Sequence, residues 1–237
     1  MKVCSFELAP YYYKSQEQVR GILVDIIDQI SATMGLQADY AMMPPLRCAR
    51  HVIIGSMDVM PYTSGYLEQL IYTEVPVHFY IAGFIVKDDS DFKSYKGLRQ
   101  FENKSVGILR GNPQLELLQQ HINVQWTQVN SGSSQWRMLL SGRLSAAYGD
   151  LIALTALPPY QNKQIRFLHP AYSTSPMWMG FHPSRKIWRD RFNRELERML
   201  NDGTIAKIYR KHSSLSFEKI QSLANISNDT QALPIEP

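Results

Sequence analysis

The chain has 237 residues, of which 44% are hydrophobic and 19% charged, proportions typical of a folded globular protein. Its 25 Lys and Arg exceed its 21 Asp and Glu by four, an excess too small to indicate nucleic-acid binding. The longest apolar stretch, residues 78–86, has strand length and is far short of the ~18–20 residues that cross a bilayer. We therefore expect one large or two smaller domains.

The first third of the chain predicts alternating strands and helices. Apolar residues recur every three or four positions from Gln18 to Met34, which predicts an amphipathic helix ended by Gly35. The other predicted elements are a strand at 2–8 followed by the aromatic loop "PYYY", a strand at 38–43, a helix from about Pro45 to Ile54, and a strand at 57–63.

The middle of the chain repeats this alternation after the apolar strand at 78–86. The predicted elements are strands "SVGIL", "VQWTQV" and "LSAAYG", helices "QLELLQQH" and "QWRMLLSG", and a strand within "YSTSPMWMGFHP". A helix follows from Arg185 to Leu200, and its basic residues are interpreted as a solvated face because no base-reading motif accompanies them. Strands alternating with helices predict βαβ units, a mainly parallel sheet and an α/β fold.

Asp150 is an unusual residue for its position. It ends the strand-like run "LSAAYG", where a buried strand ordinarily carries an apolar side chain. An unpaired ionised carboxylate there costs several kcal/mol or shifts its pKa. Two interpretations remain open: Asp150 caps the following helix, or it binds a group that is not part of the chain.

The two cysteines, Cys4 and Cys48, leave the cellular compartment undecided. They can pair only if their Cα atoms come within about 7 Å, and two buried free thiols are the expected state. The sequence begins with "MKVCSFEL" and shows no apolar segment of a signal peptide, so it reads as a cytoplasmic or a processed chain.

Sequence signals of catalysis are weak. The chain contains no Walker loop, no dinucleotide-binding glycine motif, no metal-spaced histidines and no G-x-S-x-G elbow. Cys48 and His51 are three residues apart, which is weak evidence for a thiolate pair. We therefore predict a protein without catalytic residues, metal or cofactor.

In their order and spacing, several segments resemble the periplasmic solute-binding proteins of the amino-acid-binding type, bacterial extracellular solute-binding family 3. The segments are "PYYY", "VRGILVDIIDQISATMGL", "GSMDVMP", "SVGILRGNPQLELL", "SGRLSAAYGD" and "LNDGTIAKIYRKH", together spanning about Val3 to His212. The resemblance implies a two-lobe, type 2 periplasmic-binding-protein-like α/β fold with two hinge crossovers. Lobe 1 would be 1–84 plus 174–237, and lobe 2 would be 85–173, with a solute held in the cleft.

The resemblance also implies roles for residues of lobe 2. In "SGRLSAAYGD", Ser145 replaces the family's first acid, and Asp150 keeps the second, which accepts the ammonium group of an amino acid. In the turn "RGNP", Gly111 permits a tight bend and Asn112 is a favoured N-cap, so exposed N–H groups there would bind an anion. Arg110 would add positive charge, unless it points to solvent.

The family's arginine, which grips the ligand carboxylate from lobe 1, is missing here. The stretch "GYLEQLIYTEVPV" contains neither Arg nor Lys, which puts a standard amino acid in doubt. Arg47 is a possible substitute. The other lobe 1 candidates are hydroxyls and aromatic walls: Tyr11, Tyr62, Thr63, Ser64 and Trp178.

These residues predict a monomeric periplasmic protein that binds a small polar solute, amino-acid-like or another zwitterion or organic ion, for a membrane permease or sensor, without nucleic acid. Two alternatives stay open. One is a same-fold dehydratase, with Asp150 or Glu74 as acid or base; the other is an orphan sensory domain that has lost its solute.

Overall fold

The computed structural model describes residues 1–65, 67–110, 112, 114–120 and 123–230. In the first part of the chain the elements are β1 (Lys2–Ser5), β2 (Tyr13–Ser15), β3 (Gln18–Arg20), α1 (Ile22–Thr33), β4 (Asp39–Met42), α2 (Pro45–Ile53), β5 (Val59–Thr63), β6 (Ile71–Tyr72) and β7 (His78–Lys87).

After β7 a short 3-10 turn covers Leu98–Phe101. The elements that follow are β8 (Ser105–Leu109), α3 (Leu115–Gln119), β9 (Gln125–Val129), α4 (Gly132–Leu140), β10 (Ala146–Asp150), α5 (Leu151–Thr155), α6 (Pro158–Gln161), β11 (Ile165–Phe167), β12 (Ser173–Phe181), α7 (Lys186–Asn201), α8 (Thr204–His212) and α9 (Phe217–Thr230).

The chain divides into two compact units. Unit 1 comprises Met1–Tyr80 and Ser175–Ser222, and unit 2 comprises Ile81–Thr174 together with the chain from Leu223 onward. The chain passes from unit 1 to unit 2 after Tyr80, inside the long strand β7. It returns to unit 1 after Thr174, inside the long strand β12. Unit 1 is therefore discontinuous in sequence, whereas unit 2 is mainly one continuous stretch.

Unit 1 contains a mixed sheet with the strand order β4-β1-β5-β12. β1 pairs in parallel with β4 and β5, while β12 runs antiparallel to β5 and also pairs with β6. Helix α1 buries an almost continuous apolar face, from Ile22 to Ile30, and α2 packs on β1 and β5. The parallel strands bring the carboxyl ends of β1 and β5 to the same edge.

Unit 2 contains a sheet with the order β7-β10-β8-β9, and β11 pairs with β7. β8 pairs in parallel with β9 and β10, whereas β7 runs antiparallel to β10. Arg110, which follows β8, and Asp150, which ends β10, therefore lie at the same edge of the parallel ladder. The prediction of a mainly parallel sheet was wrong in extent: β1 with β4 and β5, and β8 with β9 and β10, are parallel, whereas the pairs of β7 and β12 are antiparallel.

The predicted start of the first helix was wrong. The chain from Gln18 to Arg20 is strand β3, paired with β2, and α1 begins only at Ile22. Gly21 separates them: it has a φ of 139°, and a Cβ there would lie 2.1 Å from the carbonyl oxygen of Tyr11. Only glycine fits such a close backbone approach, so the helical spacing of Val19 is coincidental.

The expectation of two free thiols was also wrong. Cys4 of β1 and Cys48 of α2 form a disulfide, with their Cα atoms 5.5 Å apart. Both residues are fully buried in a cluster with Val52, Met60 and Leu70. Disulfides persist in oxidising compartments and are rare in the bacterial cytoplasm, so the reading as a cytoplasmic chain loses support.

Candidate functional site

In unit 1 the candidate residues gather where β5 ends. Tyr62 and Thr63 are its last residues and are buried, with 8% and 3% of their surfaces exposed, whereas Ser64 just beyond the strand is exposed. The hydroxyl of Thr63 accepts the N–H of Gly65 at 3.4 Å, which shapes the turn after the strand. The segment therefore offers one exposed hydroxyl beside two buried side chains.

Trp178 lies beside this segment. It is half-buried on β12 and is the cross-strand neighbour of Thr63 in the antiparallel pair. Its ring covers Gly65, because a Cβ built on that glycine would lie 3.3 Å from the indole. The structure thus brings Trp178 together with Tyr62, Thr63 and Ser64 in one local cluster of unit 1.

Tyr11 has a different environment from the one expected of an aromatic wall. It is fully buried, its ring lies 5.4 Å from that of Tyr62, and its hydroxyl bonds to Nε2 of His78 at 2.6 Å. His78 is also fully buried, and burial lowers the pKa of its imidazole well below the usual value. On the other side of the imidazole, Nδ1 meets the hydroxyl of Tyr209 at 3.0 Å.

Arg47 is exposed on α2, and the residues that follow it, Cys48 and Ala49, face the core. The structure shows no hydrogen bond or ion pair for its guanidinium within the described part of the chain. Among the described residues of unit 1, no contact therefore places Arg47 with the cluster around Tyr62.

In unit 2 the structure gives Asp150 a definite local role. Its side chain is 6% exposed at the carboxyl end of β10, and Oδ1 accepts the N–H of Ile152 at 3.2 Å. Asp150 is therefore the N-cap of α5, as one of the two interpretations predicted. A carboxylate has two oxygens and about four acceptor positions, so capping is compatible with binding a cation as well.

Arg110 and Asn112 follow the neighbouring strand β8. The backbone N–H of Arg110 bonds to the carbonyl of Val129, and its side chain is exposed. Asn112 uses its side-chain oxygen to accept the N–H of Gln114 at 2.9 Å, and Gly111 lies outside the described residues. Helix α3 is only five residues long, so its dipole is small and the case for an anion site at this turn is weaker.

Sequence reasoning missed a hydrogen-bonded group under this edge of unit 2. The amide of Gln135 donates to the carbonyls of Gly107 and Tyr148, both at 3.0 Å, and so ties β8 to β10. The hydroxyl of Tyr148 donates to the side chain of Gln114, in the segment after β8. No short motif marks these residues, because their partners are 13 to 34 positions away.

Two acids that the sequence drew attention to have structural contacts. Asp58 of "GSMDVMP" is 6% exposed; it accepts the N–H of Lys2 and pairs with Arg185, both at 2.6 Å. Glu74, considered above as a catalytic acid or base, is exposed and pairs with Arg189 at 3.3 Å. Neither contact points to catalysis.

Among the residues that the structure describes, no helix combines the length and the apolar character that crossing a bilayer requires. Within the same residues, no group of three or more His, Cys, Asp or Glu side chains is arranged to hold a metal ion.

Three solved structures illustrate what the fold is similar to. The substrate-binding protein of an amino acid ABC transporter superposes with a TM-score of 0.72 at 16% identity, covering 89% of this chain and 97% of that one. A histidine kinase sensor domain with similarity to periplasmic binding proteins superposes with a TM-score of 0.75 at 16% identity, covering 89% of this chain and 94% of that one. An ancestral amino acid-binding protein, a precursor of cyclohexadienyl dehydratase, superposes with a TM-score of 0.75 at 16% identity, covering 89% of this chain and 93% of that one. At such identities these likenesses establish the fold alone.

The fold is therefore the expected two-unit α/β class, type 2 periplasmic-binding-protein-like. A family model narrows this further, because bacterial extracellular solute-binding proteins, family 3, match residues 2–214. The chain belongs to this family, and the resemblance drawn from the sequence is confirmed. Among curated proteins, a search found no match to the chain.

Proposed function

We propose that this chain binds a small solute carrying an ammonium group, amino-acid-like or another zwitterion or organic cation, outside the cytoplasm. The observation that carries the proposal is Asp150, a carboxylate kept 94% buried at the carboxyl end of a strand by a backbone cap. Ligands of open α/β sheets collect at such strand ends. Family membership supplies the solute-binding role, and the Cys4–Cys48 disulfide supports an oxidising, periplasmic location.

Polar and aromatic groups from both units support this proposal. In unit 1 they are the hydroxyl of Ser64, the ring of Trp178 and the end of β5 with Tyr62 and Thr63. In unit 2 they are Arg110 and Asn112, which follow β8, and Asp150, which ends β10. Tyr11 contributes by supporting Tyr62, because it has no exposed surface of its own.

The presence or absence of a carboxylate on the solute separates two ligand classes. Arg110 and Arg47 are both exposed arginines without an ion pair in the described part of the chain, so either guanidinium is available for a carboxylate. Arg110 follows β8, at the same strand edge as Asp150, and is the candidate that we prefer. A ligand without any carboxylate would need neither arginine.

We propose a monomer that delivers its solute to a membrane permease or to a sensor. The similarity to a transporter's substrate-binding protein supports the first use and the similarity to a kinase sensor domain supports the second. The dehydratase alternative is supported only by a similar fold, since Glu74 pairs with Arg189 on the surface. We therefore assign no catalytic step to Asp150.

The test is a thermal-shift screen of the L-amino acids, polyamines, choline, glycine betaine and dicarboxylic acids, followed by calorimetry. A solute at 100 times its Kd should stabilise the protein by about 2.7 kcal/mol. Asp150→Ala should weaken binding of an ammonium-bearing solute by about 1–3 kcal/mol, and Asp150→Asn should keep the helix cap while losing the charge. Equal affinity in wild type and Asp150→Asn would contradict the role, and no response to any compound would favour the orphan domain.

A further inference from the structure

Three side chains far apart in the sequence form one buried hydrogen-bonded chain in unit 1. Tyr11 follows β1, His78 begins β7 and Tyr209 lies on α8. His78 is bonded on both ring nitrogens, to the Tyr11 hydroxyl at 2.6 Å and to the Tyr209 hydroxyl at 3.0 Å. All three residues have 0% exposed surface, so water does not compete for these bonds.

The imidazole can serve both tyrosines at once. Burial lowers the pKa of His78 well below its usual value, so the ring is neutral near pH 7. A neutral imidazole has one N–H donor and one acceptor nitrogen. Whichever nitrogen carries the proton, His78 therefore donates to one tyrosine hydroxyl and accepts from the other. The hydroxyl of Tyr209 also lies 3.4 Å from the carbonyl oxygen of Val77.

This chain supports the ring of Tyr62. The Tyr62 ring stacks on His78 with centroids 5.6 Å apart and an interplanar angle of 24°, and it meets Tyr11 at 5.4 Å. Phe6 contacts Tyr62 edge-on at 5.8 Å. The rings of His78, Tyr11 and Phe6 thus enclose the ring of Tyr62. Hydrogen bonds fix the first two of these three rings.

Apolar side chains would fill the same space without the desolvation that buried polar groups require. Hydrogen bonds differ from apolar contacts because they select one orientation of each ring. Tyr62 lies in β5, and its ring stacks on the imidazole of His78. Because the hydrogen bonds fix the orientation of the imidazole, they also fix the ring of Tyr62 at the end of β5, where the candidate binding residues are.

We propose that His78 is a positioning residue for solute binding: by bridging Tyr11 and Tyr209, it holds Tyr62 and the end of β5 in the orientation that the solute requires. This inference rests on the proposed function. It assigns roles to Tyr11 and Tyr209 as well, as the two hydroxyls that fix the imidazole from either side.

The experiment compares affinities by calorimetry at pH 7.5, using the tightest solute from the panel named above. His78→Leu removes both hydrogen bonds and should weaken binding about tenfold, equivalent to 1.4 kcal/mol. Tyr209→Phe should weaken binding less, about threefold. His78→Gln keeps one donor and one acceptor and should restore affinity to near that of wild type.

Met199→Ala is the matched control, because Met199 is fully buried in α7 of the same unit and outside the ring contacts described for Tyr62. It should lower stability without changing affinity. If His78→Leu and Met199→Ala have equal affinities, His78 is only a packing residue and the inference is wrong. If the wild-type protein binds no compound in the panel, the proposed function itself fails.

A second readout needs no solute. Nitrogen NMR of the histidine rings should show His78 neutral, with one protonated ring nitrogen, and Tyr209→Phe should change the signal of Nδ1. A doubly protonated ring, or an Nδ1 signal that Tyr209→Phe leaves unchanged, would overturn the bridging arrangement and, with it, the positioning role.

Discussion

The two units of this chain differ in how far along the sequence their longest side-chain hydrogen bonds reach. In unit 1, hydrogen bonds join residues 127, 131 and 187 positions apart: Arg185 to Asp58, Tyr209 to His78, and His212 to Asp25. In unit 2, Arg166 bonds to backbone carbonyls 73 to 78 positions away. Both units also have local caps, two or three residues long, at the starts of helices.

The difference follows from how each unit is formed from the chain. Unit 1 combines two stretches that are separated by all of Ile81–Thr174, so its assembly closes a long loop and requires contacts between distant segments. Unit 2 is largely one stretch of 94 residues, so its hydrogen bonds cannot reach further than that stretch. Polar contacts between residues more than 100 positions apart therefore indicate where the chain returns to unit 1.

Asp25 of α1 forms a charged contact with Lys211 and His212, in the stretch of chain that returns to unit 1. Burial alone would raise the pKa of this carboxyl group, but hydrogen bonds from Lys211 and His212 hold the pKa below its ordinary value. Both partners belong to the last turn of α8, where positive charges are also favoured by the helix dipole. The contact thus joins α1 to the end of α8.

The largest expected effect comes from removing the covalent link of unit 1. Replacing Cys4 and Cys48 together by Ser should lower the free energy of unfolding by about 4 kcal/mol, because the disulfide closes a loop of 44 residues in the unfolded chain. Urea unfolding, with and without a reducing agent, measures this. The wild-type protein should lose stability on reduction while the double variant does not respond. Equal stabilities of the oxidised wild type and the double variant would show that unit 1 does not depend on this link.

Acid should weaken unit 1 through His78. Its pKa in the folded protein lies below that of the unfolded chain, so below about pH 6.5 only the unfolded state takes up the proton. The free energy of unfolding should therefore fall with decreasing pH, by at most about 1.4 kcal/mol per pH unit from this group. Urea unfolding at pH 7.5, 6.5 and 5.5 measures the slope. His78→Gln should flatten it, and an unchanged slope in that variant would contradict the role of His78.

The smallest effect is expected from a cap of unit 2. Ser131 accepts the N–H of Ser134 at 3.2 Å and caps α4. Ser131→Ala should cost about 1 kcal/mol, and Ser131→Asp should keep the cap. Hydrogen exchange of the α4 amides should report the loss locally, with amides of α1 unaffected. A loss of protection spread over unit 1 would contradict the separation of the two units.

Much of the element pattern and the family could be predicted from the sequence, because both depend on local order. Apolar spacing predicted α7 to within one residue at each end, and the turn residues of "RGNP" and "NSGSS" separate strands from helices. The start of α1 could not be predicted in this way, because the contact between Gly21 and the backbone of Tyr11 involves residues ten positions apart.

For the candidate site, the sequence was informative about Asp150 and uninformative about Tyr11. An acid at the end of an apolar strand is visible in the sequence, since its chemistry conflicts with its neighbours. Tyr11 stands in an aromatic run that fits an exposed wall and a buried support equally well. Only its contact with His78, 67 positions away, shows that it is a support.

The sequence by itself determined that this chain is an α/β solute-binding protein with a carboxylate at the end of a strand, because periodicity, turns and motif order are local properties. The tertiary structure alone decided that Cys4 and Cys48 pair and that His78 lies between two tyrosines. Those contacts join residues that meet only after the sheets have formed, and their energies depend on burial, which no short stretch of sequence specifies.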